Sequence, residues 1–155
     1  MKVINYILAL LGFLFLNFSG LAAGSLWTDP GVNSVWYDTI QKAPWTPPGF
    51  IFGLAWTTIM VCFSFFMTKL YFKKESKYNN ILMVSWLFNI LWNPLFFTIH
   101  WLWLSVVVIT TLTFIIGKLL HDVRKEGGYG WLLILPYFIW LNIATSLNLF
   151  VALMN

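Results

Sequence analysis

Two amides and two indoles set the chemistry open to this chain. Asn89 and Asn93 stand four residues apart in an apolar run, so a helix puts them on one face, which Phe96 and Phe97 continue. Tyr137, Trp140, Ala144 and Asn148 form a second stripe, with the small Ala144 leaving space beside Trp140. Phe52, Trp56, Met60 and Phe63 align as a third. Apolar walls with a few placed polar groups suit a ligand that stacks and makes one or two hydrogen bonds. They do not suit proton transfer or hydrolysis. No ionisable residue falls in the middle of an apolar run, and His100 and His121 have no second ligand at metal spacing. No Ser-His-Asp or Cys-His set and no Gly-rich phosphate loop is visible. Taken one at a time, these residues are better explained as packing, since interhelical amides contribute about 1 kcal/mol each. Three such faces beside a covering loop point to a pocket.

The covering loop lies between the first two apolar runs. Trp36, Tyr37 and Trp45 stand in it with Pro44, Pro47 and Pro48. A loop tied only to water gains nothing from such residues, so residues 24–47 are expected to fold back over the helices as a lid. Lys42 is its one basic residue, equally readable as a solvated charge or as a partner for an anion.

A membrane must position these faces. The 155 residues are 60% hydrophobic and 9% charged, against roughly 25% charged in a soluble domain, so a water-facing surface cannot be built. Crossing the hydrocarbon as a helix takes about 20 apolar residues. Five segments fit, near 3–23, 48–70, 80–99, 101–120 and 131–153, and none alternates as a barrel strand would. The expected fold is an all-α integral membrane protein, a single domain of five transmembrane helices. Thr46 is expected to cap the second helix, with Pro47 and Pro48 as its first positions. Thr98, Ile99 and His100 leave room only for a tight hairpin between the third and fourth spans. The first span has a rival reading as a cleaved secretory signal, since Lys2, an apolar stretch and Gly20-Leu21-Ala22-Ala23 follow that pattern. Its apolar length favours an uncleaved helix.

Lysine and arginine then orient the bundle. Eight basic residues (Lys2, Lys69, Lys73, Lys74, Lys77, Lys118, Arg124 and Lys125) share the side of the N-terminus, and only Lys42 lies opposite. The N-terminus is expected in the cytoplasm, with the C-terminus and first loop outside, in a bacterial inner membrane. The net charge of +4 is split among short connections rather than gathered on one face, which gives no nucleic-acid surface. Cys62 stands alone in an apolar run, so no disulfide framework is expected.

The ordered set Trp36-Tyr37, Lys42, Pro44-Trp45-Thr46-Pro47-Pro48, Trp56, Asn89, Asn93, Pro136-Tyr137, Trp140, Ala144-Thr145 and Leu147-Asn148 resembles the translocator-protein (TspO/MBR) family, the tryptophan-rich sensory proteins of bacteria. The resemblance covers almost the whole chain. It implies a five-helix bundle, often dimeric, whose first loop closes a pocket for protoporphyrin IX, haem-like tetrapyrroles and related apolar ligands. It also implies a role in tetrapyrrole and stress regulation. By the same resemblance Trp56 and Trp140 match the pocket tryptophans. Tyr37, Pro47, Asn93, Ala144 and Phe96 match lining positions. No cofactor is required. Light- and oxygen-dependent porphyrin breakdown on Trp56 and Trp140 is the enzymatic alternative, and carriage of an apolar metabolite a further one. The sterol motif of animal members needs an aromatic and a basic residue after Asn148, and residues 149–155 here hold no Tyr and no Arg. Sterol binding is therefore not expected, and membrane lipid and a second copy of the chain are the other partners implied.

Overall fold

The computed structural model describes residues 2–155, all helix and connections with no strand among them. Five helices are long and apolar enough to cross a membrane. The first, α1, spans Lys2–Val32. A short helix α2, Val35–Thr39, stands in the connection to α3, Gly49–Lys73. Next come α4, Asn79–Phe97, and α5, Leu102–Lys125. A 3-10 turn at Ser76–Tyr78 precedes α4, and another at Gly130–Leu133 leads into α6, Leu135–Met154. Around the bundle the long helices run α1, α3, α6, α5, α4 and back to α1. Chain-adjacent α3 and α4 are therefore kept apart by a closed ring, and an interior is left between them.

Packing between helices in lipid rests on close contact and interhelical hydrogen bonds rather than on hydrophobic burial. The α1–α4 seam illustrates this. Gly20, Gly24 and Gly31 of α1 face Trp86, Asn93 and Phe97 of α4 so closely that a Cβ on any of them would stand 2.5–2.8 Å from a side-chain atom. Thr28 of α1 donates its hydroxyl to Asn93 Oδ1 at 2.7 Å across the seam. Elsewhere Phe66, Leu112, Ile116, Leu119 and Leu141 are fully buried, filling the seams among α3, α5 and α6.

Two sequence expectations change. The lid begins later than residue 24, because α1 continues through Pro30 to Val32. Nothing local commands this extension; the contacts of Gly24, Thr28 and Gly31 with α4 hold those turns helical. At ~1.5 Å per residue such a helix outruns a ~30 Å hydrocarbon layer, so its last turns stand clear of it or tilt. Thr46 is not the cap of α3. Pro48 holds that position, and the Thr46 hydroxyl instead donates to Ala43 O at 2.7 Å, closing a turn within the lid. The hairpin between α4 and α5 is tight, with His100 in the left-handed region at φ 59°.

A candidate ligand site beneath the lid

The lid, residues 33–48, is fastened at both ends. Ser34 caps α2 by accepting the Tyr37 N–H at 3.2 Å, which turns Trp36 and Tyr37 toward the end of α4. Trp36 stacks on the His100 ring at 3.9 Å with 15° between planes and meets Phe96 edge-on. Tyr37 packs on Phe97 at 5.9 Å. At the other end, Trp45 donates Nε1–H to Ser146 Oγ at 3.1 Å and packs against Phe150. Ile40 and Ala43 between them are buried.

Beneath this cover lies a cavity of about 60 Å³ walled by Tyr37, Phe52, Trp56, Phe96, Trp140, Ala144 and Asn148, together with Trp92 and Lys42. Trp140 is buried and Trp56 half-buried, both turned inward. Phe52 meets Trp140 edge-on at 5.1 Å, and Trp92 stacks on Phe96 at 5.7 Å. The Lys42 ammonium stands 4.2 Å from the centre of the Tyr37 ring, a cation–π contact. Burial pushes the Tyr37 phenol above its ordinary range. Two of the polar groups in this chamber are bonded to each other. Trp92 Nε1–H donates to Asn148 Oδ1 at 2.9 Å, and the Asn148 amide donates to Ala144 O at 2.9 Å.

The other sequence-derived candidates sit elsewhere. Asn93 is spent on the α1 seam: besides accepting from Thr28, its amide donates to Asn89 O at 2.9 Å. Pro47 is half-buried in the lid, next to the lining residue Thr46 but off the cavity wall. Met60, Asn89 and Tyr137 line a different cavity, toward the end of the bundle away from the lid. The shared face read for Asn89 and Asn93 thus splits, because α4 contacts α1 along part of that face and the interior along the rest. Trp92 and Lys42 belong to the lid-side chamber, and the sequence reading gave Trp92 no place in a pocket. Asn17 was passed over. It is a buried amide in the first span, 4% exposed, bonded to Ser64 Oγ at 2.8 Å; an amide well inside an otherwise apolar run was the signal that could have marked it. No group of three or more His, Cys, Asp or Glu side chains comes together among the described residues.

The profile of the TspO/MBR family matches residues 12–154. The chain is 30% identical to Protein CrtK of Rhodobacter capsulatus, over 86% of this chain and 84% of that one. It is 29% identical to the tryptophan-rich protein TspO of Archaeoglobus fulgidus, over 100% of this chain and 99% of the relative. A tryptophan-rich sensory protein of Cereibacter sphaeroides is 28% identical over 73% of this chain and 72% of its own length. With five apolar helices in sequence and a match running from the first helix to the last, this multi-pass membrane chain belongs to the TspO/MBR family.

Proposed function

We propose that this chain binds a porphyrin or related tetrapyrrole in the lid-side chamber and serves in tetrapyrrole or stress sensing. The observation that carries the reading is the convergence of Trp56, Trp92, Trp140, Phe52 and Phe96 under one lid. Indole and phenyl faces offer a flat macrocycle stacking and edge contacts. Lys42 at the mouth supplies the cation that a propionate needs, and the bundle gives it no anionic neighbour among the chamber residues.

A chamber of about 60 Å³ is far too small for a macrocycle, so binding requires the lid to lift and Tyr37 to leave Phe97. The apparent affinity then carries the cost of that opening. The asymmetry of basic residues supports a lid outside the cell and an N-terminus in the cytoplasm.

The test is a titration of the purified protein in detergent with protoporphyrin IX, read by tryptophan quenching, for wild type and a Trp56→Phe, Trp140→Phe double variant. Weaker binding and reduced quenching in the variant support the site. Equal affinity and equal quenching remove it.

A further inference from the structure

A separate cavity of about 390 Å³ lies between α1, α3 and α4 in the half of the bundle away from the lid, with Tyr137 of α6 against its inner end. Its position follows from chain direction. It is lined by the second half of α3, the first half of α4 and the first turn of α6, all of which lie opposite the lid.

What distinguishes this space is its unpaired polar atoms. Tyr137 is 3% exposed, yet its hydroxyl makes no hydrogen bond among the described residues. The Asn89 side chain makes none either; only its backbone carbonyl is engaged, by Asn93. Asn17 uses its N–H groups on Ser64 Oγ at 2.8 Å and Met67 Sδ at 3.5 Å, which leaves its carbonyl oxygen without a donor. Three polar side chains that line one cavity from three helices, each with hydrogen-bonding capacity left over, make up the polar complement of a ligand site. In the lid-side chamber the one side-chain amide, that of Asn148, is instead already bonded to Trp92.

The rest of the wall is mostly apolar, with Asn79 and Ser85 as its other polar residues, the Ser85 hydroxyl bonded to Leu82 O at 2.8 Å. Met60, Met67 and Phe63 come from α3, and Trp86 closes the α1 side. No Lys, Arg, Asp or Glu lines it, so an ionised ligand would be desolvated without compensation. Its volume is in the range that takes a compact, drug-sized molecule. Leu16 and Met83, 40% and 59% exposed, stand at its rim and open it toward the bilayer.

We propose that this second cavity binds a neutral, largely apolar molecule carrying one carbonyl, amide or hydroxyl group, which Asn89 and Tyr137 hydrogen-bond while Met60, Met67 and Trp86 cover its body. The site is independent of the lid-side chamber, and neither a lid movement nor an anionic group on the ligand is required.

The methionines make the proposal testable, since a benzophenone photoprobe inserts readily beside methionine. The purified full chain in detergent is irradiated with 4-benzoylbenzamide over a concentration series, and labelled peptides are located by mass spectrometry. Met154, at the lid-side end of α6 and exposed, reports labelling from the detergent phase. Labelling of Met60 or Met67 should saturate and fall at least fivefold with excess unlabelled benzanilide and in an Asn89→Leu, Tyr137→Phe double variant. Met154 labelling should change in neither arm. Labelling at Met60 and Met67 that rises linearly in step with Met154, or that benzanilide leaves undiminished, would overturn the proposal. So would saturable labelling that is identical in the double variant. The competition arm uses wild-type protein, so the result does not hang on the variant folding. Loss of protoporphyrin binding at the lid side would leave this outcome untouched.

Discussion

Trp56 and Tyr137 meet edge-on, ring centres 6.0 Å apart at 66°, and they line different cavities: Trp56 the chamber beneath the lid, Tyr137 the one at the far end. The pair is the partition between them. Phe63 continues it, meeting Tyr137 at 5.4 Å. One helix face therefore serves two spaces, divided by a single layer of rings.

Removing the partition should be costly, while trimming it should not. Trp56→Ala is expected to destabilise by about 3 kcal/mol, the low end for a buried tryptophan because Trp56 is half-buried. Trp56→Phe keeps an aromatic edge against Tyr137 and should cost under ~1.5 kcal/mol. Thermal unfolding in detergent separates the two. Equal melting temperatures for both variants would show that no partition stands there.

The lid is held at its far end by an exchange between Gln41 and Asn155. The Gln41 N–H donates to Asn155 Oδ1 at 3.0 Å, and the Asn155 amide donates back to Gln41 O at 3.3 Å. Asn155→Ala removes both bonds. At a net ~1 kcal/mol for such an exposed pair, lid opening should become about fivefold more frequent. Hydrogen exchange over residues 41–47 is the readout, with exchange in α6 unchanged. Protection of the lid at the wild-type level would mean that the Trp45 contacts alone hold it.

The α1–α4 seam predicts opposite outcomes for two glycines of the same helix. A Cβ at Gly31 would stand 2.5 Å from Phe97 Cβ, close to the α4 backbone and unable to yield. Gly31→Ala should therefore cost about 1–3 kcal/mol by overpacking and loosen the lid that begins just beyond it. Gly12 has nothing within 4 Å, so Gly12→Ala should stabilise α1 by up to ~1 kcal/mol through backbone entropy. If both variants shift the melting temperature the same way, the seam is not as close as described.

Acid should loosen the end opposite the lid. Glu126, just past α5, accepts hydrogen bonds from Lys77 and Tyr78 at the turn before α4. The Lys77 ammonium foremost, then the Tyr78 hydroxyl, hold its carboxyl below the ordinary carboxylate range. A carboxylate with a lowered folded pKa contributes stability that is whole above its unfolded value, ~4.3, and is lost as pH falls through the folded one. Wild-type melting temperature should fall between about pH 5 and pH 3, and Glu126→Gln should flatten that limb. Parallel curves for the two proteins would mean that the tie between α5 and α4 contributes nothing.

Much of this molecule was legible in the sequence because lipid leaves few choices. Backbone polar groups in hydrocarbon must bond within their own segment, so five long uncharged runs could only be helices, and composition alone announced the membrane. The aromatic stripes on α3 and α6 were legible for a related reason. Periodicity places Phe52, Trp56, Trp140, Ala144 and Asn148 on faces, and in a closed ring of helices such faces turn to the interior.

The tertiary structure decided which inside each face meets. Asn89 and Asn93 share a stripe, yet α1 presses its glycines onto Asn93 and leaves Asn89 to the far cavity. The same seam carried α1 past the residues where the chain by itself suggested a loop. Contacts between segments distant in the chain, Thr28 with Asn93, Trp92 with Asn148 and Gln41 with Asn155, settle which amides are spent on packing. Periodicity gives a residue its direction around one helix, and only the neighbouring helix determines whether that direction ends in a side chain or in open space.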